Sequence, residues 1–271
     1  MTALASSLGL PLAQIDESFF RDRSEEDCIR DDGAFCLQWV LDNFGDRYVT
    51  PTLEHVVLVV VSVTLGFAIA FGMALLSHRR RWLVPPFIGA TGILYTIPSV
   101  AFFFLLLPIT GRGTDTAIIA LTAYTLQIIY RNIVAGLANV PPNAKDAGRG
   151  MGMTERQLLW RVELPLALPE IVAGLRIATV STVAIATLAV FAGGGGLGQE
   201  IVAGSAITFK TGIVVAGSLA IGMAILFDVA LLLVQRRLTR WQQREPIEPG
   251  GRGGGGRLAD ALRRRPAWTG R

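Results

Sequence analysis

Five uninterrupted apolar runs, at positions 56–76, 82–110, 116–140, 171–199 and 211–235, decide what this chain can become. The first two contain no charged residue; the others contain only Arg131, only Arg176 and only Asp228. A helix needs about 20 apolar residues to cross the hydrocarbon of a bilayer. Backbone in lipid must satisfy its own hydrogen bonds, so each run reads as a transmembrane helix. Only 17% of the 271 residues are charged, against about 25% in soluble domains. The expected fold is all-α: a polytopic integral membrane bundle of five helices, with one membrane domain over 51–236.

Orientation follows from where arginine and lysine fall. The turn after the first run holds Arg79, Arg80 and Arg81, the loop after the third holds Lys145, Arg149, Arg156 and Arg161, and the segment after the fifth is arginine-rich. The turns after the second and fourth runs are balanced. The N-terminus is therefore expected outside and the C-terminus inside, with 141–165 cytoplasmic. Positions 1–50 form an acidic extracytoplasmic leader with ten acids against four arginines. Residues Phe35, Leu37, Val40, Leu41 and Phe44 fit either an amphipathic interfacial helix or an irregular leader. Cys28 and Cys36, the only cysteines, both lie in this leader. An oxidising compartment permits either a bridge or two free thiols.

The tail, 237–271, is basic and broken by a glycine run, which predicts disorder. Its arginines fit a topology anchor or attraction to anionic lipid. Nucleic acid is not an expected partner, because no aromatic interleaving accompanies the charge. The chain lacks G-x-x-x-x-G-K-[ST] and any zinc spacing, so it carries neither a nucleotide site nor a metal site of its own. The run Gly193, Gly194, Gly195, Gly196, Leu197, Gly198 formally fits a dinucleotide fingerprint, but it follows a membrane helix rather than a strand. It reads instead as a turn that lets backbones approach closely and that borders a cavity. His55 and His78 flank the first span and read as interfacial.

The polar loop between the third and fourth runs is the remaining signal. Pro141 and Pro142 stop the third span, Asn143 is expected to cap a short helix with Asp146 in its first turn, and Gly152 is expected to end it with a left-handed residue. Thr154 is expected to cap a second helix over 155–162 that Pro165 breaks. Two short helices joined at a glycine make a knob, and a plain surface loop is the alternative reading.

Asp146, Ala147, Gly148, Gly152, Leu164 and Pro165 stand at the spacing of the "EAA" loop, and the chain resembles the permease subunits of ATP-binding-cassette importers. Tyr95, Thr96, Ile97, Pro98 and Ser99, the glycine run, and Leu164 to Pro169 resemble the osmoprotectant subfamily that imports glycine betaine, choline, carnitine and proline. The resemblance spans about residues 50–240. It departs at Asp146, where glutamate is usual, and at Gly148, where alanine is usual. It implies that the loop couples to cytoplasmic ATPase subunits, which bind the ATP, so this chain is a transport subunit, not an enzyme. It also implies a second permease copy (a homo- or heterodimer), an extracytoplasmic substrate-binding protein and a prokaryotic cell membrane. Tyr95, Pro98, Gly194, Gly195 and Gly198 are the implied path residues. Importers of another small solute, such as an amino acid or a sulfonate, and a self-sufficient channel or secondary carrier are the competing readings. The intramembrane charges are expected to pair, Asp228 with Arg176 or Arg131.

Overall fold

A computed structural model describes residues 35–239; Cys28, the rest of the leader and the basic tail lie outside the described residues. The described residues are mostly helical and contain no strand, in the order α1 (Leu37–Arg79), α2 (Val84–Thr96), α3 (Ser99–Thr110), α4 (Thr114–Ala138), α5 (Pro142–Gly150), α6 (Glu155–Leu158), α7 (Leu164–Ala186), α8 (Leu197–Ala206) and α9 (Lys210–Leu238). Four helical stretches are long and apolar enough to cross a membrane: α1, α4, Glu155–Ala186 and α9. A fifth crossing exists only if Arg81–Thr96 and Ser99–Thr110, bent by 98°, count as one broken span.

That bend corrects the expectation of a continuous second span over 82–110. Its cause is Pro98. A residue before proline is pushed out of the helical region, and Ile97 is extended with ψ 128°. The fourth span is corrected as well. It ends at Ala186, and Gly193, Gly195 and Gly196 adopt φ of +80°, +77° and +79° before α8 begins. No helix continues through three left-handed residues, so 171–199 is a span followed by a tight turn.

The leader also differs from both expected forms. From Leu37 on, these positions are neither a separate interfacial helix nor irregular, because α1 runs for 43 residues straight through Pro51. At 1.5 Å per residue it is about 65 Å long, twice the thickness of hydrocarbon. Its first turns are anchored to the opposite end of the chain. Trp39 packs edge-on against Phe209 with centroids 4.6 Å apart. Arg47 donates to Glu200 at 2.6 Å and lies 5.2 Å from the Trp39 ring. The Cys36 amide donates to the Thr211 hydroxyl at 3.0 Å.

Helix α4 forms the axis of the bundle, 61% buried in its most apolar window against 11% for α9. It lies between α1 and α7, and small residues permit that approach. A Cβ on Gly66 of α1 would sit 1.8 Å from the Thr125 hydroxyl, and one on Gly174 of α7 would sit 2.3 Å from the Asn132 Cβ. One apolar cluster around Leu58, Phe103, Leu121 and Val183 fills one half of the bundle. A second around Ala74, Tyr130, Ile133 and Ile171 fills the half next to the polar loop.

Candidate functional site

The polar loop folds as a two-helix knob. Helix α5 starts with Pro141 as its cap and Pro142 in the first turn. That overturns the expected Asn143 cap. Proline at the first helical position loses no bond there and presets φ, so Asn143 falls inside the helix. Asp146 projects into solvent and lies 3.7 Å from Arg149. Ala147 is exposed beside it. The Glu155 hydrogen bond (3.1 Å) and charge hold the Arg149 guanidinium above its ordinary pKa, so it stays charged. Gly148 is buried, and a Cβ there would meet the Leu158 side chain at 2.5 Å. Gly152, at φ +77°, turns the chain after α5 as expected.

Thr154 then caps α6 with a complete capping box. The Gln157 amide donates to the Thr154 hydroxyl at 3.3 Å, and the Thr154 amide donates to Gln157 Oε1 at 2.9 Å. Thr154→Ala should cost about 1 kcal/mol, read as increased proteolytic nicking or faster amide exchange over 154–158, with no change in the membrane helices.

Pro165 does not break the second helix. A π turn, Leu159–Glu163, precedes it, and the helix runs on from Glu155 to Ala186. The wider π pattern shifts the hydrogen-bond register where the proline has no N–H to give. Leu164 is buried and Pro165 half-buried on the same helix. The knob is thus rigidly continuous with a membrane helix.

A residue that the sequence did not single out ties the knob to the bundle. Glu163, 3% exposed, sits 3.3 Å from His78 at the end of α1 and 3.8 Å from Lys145 of α5. Lys145 also donates to the Leu137 carbonyl at the end of α4. The one available signal was an acid flanked by Val162 and Leu164. His78 is therefore half-buried in this cluster, and His55 is fully buried against the Val183 carbonyl at 3.1 Å; neither is merely interfacial.

The expected path residues fall in two places. Gly194 and Gly195 line a cavity of about 440 Å³ with Glu54, Val57, Thr114 and Gln199. Glu54 accepts from the Gly196 amide at 2.9 Å. Gly198 is buried against Thr187. Tyr95 and Pro98 do not line that cavity. They stand at the α2–α3 break, where Tyr95 and Tyr124 meet edge to face with centroids 5.9 Å apart.

The charged trio separates. Arg176 Nε and Nη2 donate to the two Asp228 oxygens, both at 2.9 Å. Arg176 Nη1 also donates to Gln235 at 3.2 Å, and Gln235 donates on to the Pro169 carbonyl. Arg131 is exposed and forms no ion pair among the described residues, which removes it from the expected pairing; the fork of a guanidinium fits one carboxylate bidentately. Cys36 is held in a disulfide, and Cys28 lies outside the described residues. No group of three or more potential metal ligands occurs among the described residues.

Residues 62–243 match the family described as binding-protein-dependent transport system inner membrane component. The chain is 34% identical over 200 residues to the choline transport system permease protein OpuBB of Bacillus subtilis, covering 73% of this chain and 92% of that one. It is 37% identical to the osmoprotectant import permease protein OsmW of Salmonella typhimurium, covering 75% and 96%. It is 36% identical to the carnitine transport permease protein OpuCB of Listeria monocytogenes, covering 76% and 94%. Its fold is similar to a solved chain of the MetNI methionine ABC transporter in an inward-facing form, with TM-score 0.61, 24% identity, and 70% of this chain and 95% of that chain covered.

Proposed function

The chain belongs to the binding-protein-dependent transport system inner membrane component family, and from that premise we propose that it carries small osmolytes of the glycine betaine, choline, carnitine and proline type across a prokaryotic cell membrane. It is the membrane-spanning permease subunit of an ABC importer, and ATP hydrolysis belongs to separate subunits. The observation that carries the substrate class is the identity of 34–37% to choline, carnitine and osmoprotectant permeases over about three quarters of the chain. The likeness to the methionine transporter, at 24%, speaks for the fold alone.

In this reading the N-terminus is outside and the knob inside, which the arginine distribution supports. Two permease copies enclose the path, two cytoplasmic ATPases grip the knobs, and an extracytoplasmic binding protein loads the outer mouth. Asp146, Ala147 and Gly152 form the docking surface, while Gly148 and Leu164 hold it to the bundle. When the ATPases close, a displaced α5 pulls on Lys145, and Glu163 passes that displacement to His78 on α1 and along the continuous helix 155–186. Rigid-body rocking of the helices then exchanges outward and inward openings.

The test is uptake of labelled choline, glycine betaine, carnitine and methionine into proteoliposomes holding the complete complex. ATP-dependent uptake of the quaternary amines, blocked by Gly152→Asp with insertion intact, is the expected result. Uptake of methionine alone would overturn the substrate class. Uptake of any of these solutes without ATP or ATPase subunits would return the chain to the carrier class.

A further inference from the structure

We propose that the break between α2 and α3 is a mid-membrane cation site on the translocation path, where the quaternary ammonium group of the cargo rests against the ring of Tyr95 and the free carbonyls that end α2. The proposal rests on the osmolyte reading above and deepens it.

The backbone at the break has unspent acceptors. Helix α2 stops at Thr96, Ile97 is extended, and Pro98 has no N–H to offer. The Ile93 carbonyl accepts from the Thr96 hydroxyl at 2.8 Å, which leaves the carbonyls of Leu94, Tyr95 and Thr96 without helical donors at the negative end of the helix dipole. In a straight helix the next turn would cancel that field. Here α3 leaves at 98°, so the N–H groups that open α3 at Ser99, with their positive end of the dipole, point to a different side of the break from the α2 carbonyls.

Three rings meet at the break. Tyr95 meets Tyr124 at 5.9 Å and 69°, and Phe102 meets Tyr124 at 5.7 Å and 86°. Tyr124 is 5% exposed and donates its hydroxyl to the Ile97 carbonyl, which pins the central ring to the break. Tyr95 is 44% exposed, so it is the ring a solute can reach. An aromatic face attracts a quaternary ammonium group, which has no N–H to donate and sheds water readily. Neither α2 nor α3 contains a carboxylate. A site of rings and carbonyls holds a cation without trapping it, which passage requires.

Depth argues against a lipid-facing site. The 13 residues of α2 rise about 20 Å from the basic turn at Arg79, Arg80 and Arg81. Tyr124 lies about 15 Å from the start of α4, which begins at the opposite turn. Both counts put the break near the middle of the hydrocarbon. Exposed irregular backbone at that depth persists only against water or protein, and Ile93, Tyr95, Thr96 and Pro98 are all exposed.

The test uses the complete importer in proteoliposomes with labelled choline, normalised to assembled complex. Tyr95→Leu should lower the maximal import rate about tenfold and leave half-saturation, which the binding protein sets, unchanged. Tyr95→Phe should retain most of the rate. Phenylalanines with one, two and three ring fluorines at position 95 keep the shape and weaken the negative face, and import should fall stepwise along that series. A flat fluorine series, or Tyr95→Leu at the wild-type rate, would overturn the site while leaving the osmolyte reading intact. Loss of the permease pair with an unchanged rate per assembled complex would mark a subunit contact and also overturn it. A wild-type complex that imports no quaternary amine would remove both.

Discussion

Gly198→Ala should leave little folded protein and no measurable transport, although it adds a single methyl group. The new Cβ would sit 1.9 Å from the Thr187 carbonyl oxygen, 2.7 Å from its carbon and 3.0 Å from its Cα. All three atoms are backbone, at the point where α7 ends and the chain turns back toward α8, so no rotamer change relieves the contact. Overpacking commonly costs 1–3 kcal/mol when side chains can give way. Here two backbones must separate, and the expected loss is at least about 3 kcal/mol, a large share of ordinary stability. Gly222→Ala on α9 is the control. A Cβ there meets nothing within 4 Å, and alanine favours helix by about 1 kcal/mol, so it should match or exceed the parent. Thermal unfolding in detergent checks both. A Gly198→Ala protein that melts with the parent and transports would show that the α7–α8 turn is free to open.

The same turn shows where the amino-acid text is readable and where it is not. The glycine run announces a close backbone approach without naming the surface approached. Thr187 lies within the apolar run 171–199, and hydropathy does not distinguish a span from a span followed by a packed turn. Pro98 is a comparable case. Its helix-breaking power is local and legible, yet proline is tolerated in spans, as Pro51 in α1 and Pro169 in α7 demonstrate. What distinguishes Pro98 is an extended Ile97 braced by Tyr124 from another helix. Local chemistry reads well where partners are close in sequence, as in the Thr154 and Gln157 capping box. It fails for Glu163, whose partners His78 and Lys145 lie on two other elements. The resemblance located the knob, whereas the buried carboxylate that fixes it to α1 leaves no motif. The leader shows the reverse failure. Its acids suggested a separate segment, but Arg47 pairs with Glu200 and Trp39 packs on Phe209, contacts that extend α1 well beyond its apolar run.

Breaking the α7–α9 ion pair should produce the second large effect. Asp228→Asn leaves the Arg176 guanidinium facing an amide that can accept one hydrogen bond where the carboxylate accepts two at 2.9 Å. A cation without its counter-charge inside a span costs at least about 2.5 kcal/mol on insertion scales. The Asp228 side chain is 37% exposed and that of Arg176 24%, so solvent screens part of the loss, which reads as a lower unfolding midpoint. Gln235, which accepts from Arg176 and donates to the Pro169 carbonyl, recovers part of it. Reversal of the pair, Arg176→Asp with Asp228→Arg, should regain some of the loss. The apolar replacement Arg176→Met with Asp228→Leu should regain more, because it removes the arginine charge together with its partner. Arg131→Asp with Asp228→Arg should regain nothing, since Arg131 is exposed and forms no ion pair with Asp228. A double-mutant cycle on unfolding midpoints isolates the interaction from the effect of each substitution alone. If the cycle closes with no coupling between 176 and 228, the bidentate contact is incidental, and Asp228 serves the water-facing side of α9 instead. If the apolar pair folds well yet transports slowly, the ion pair acts in the rocking motion itself, as a contact between α7 and α9 that must break and re-form on each cycle.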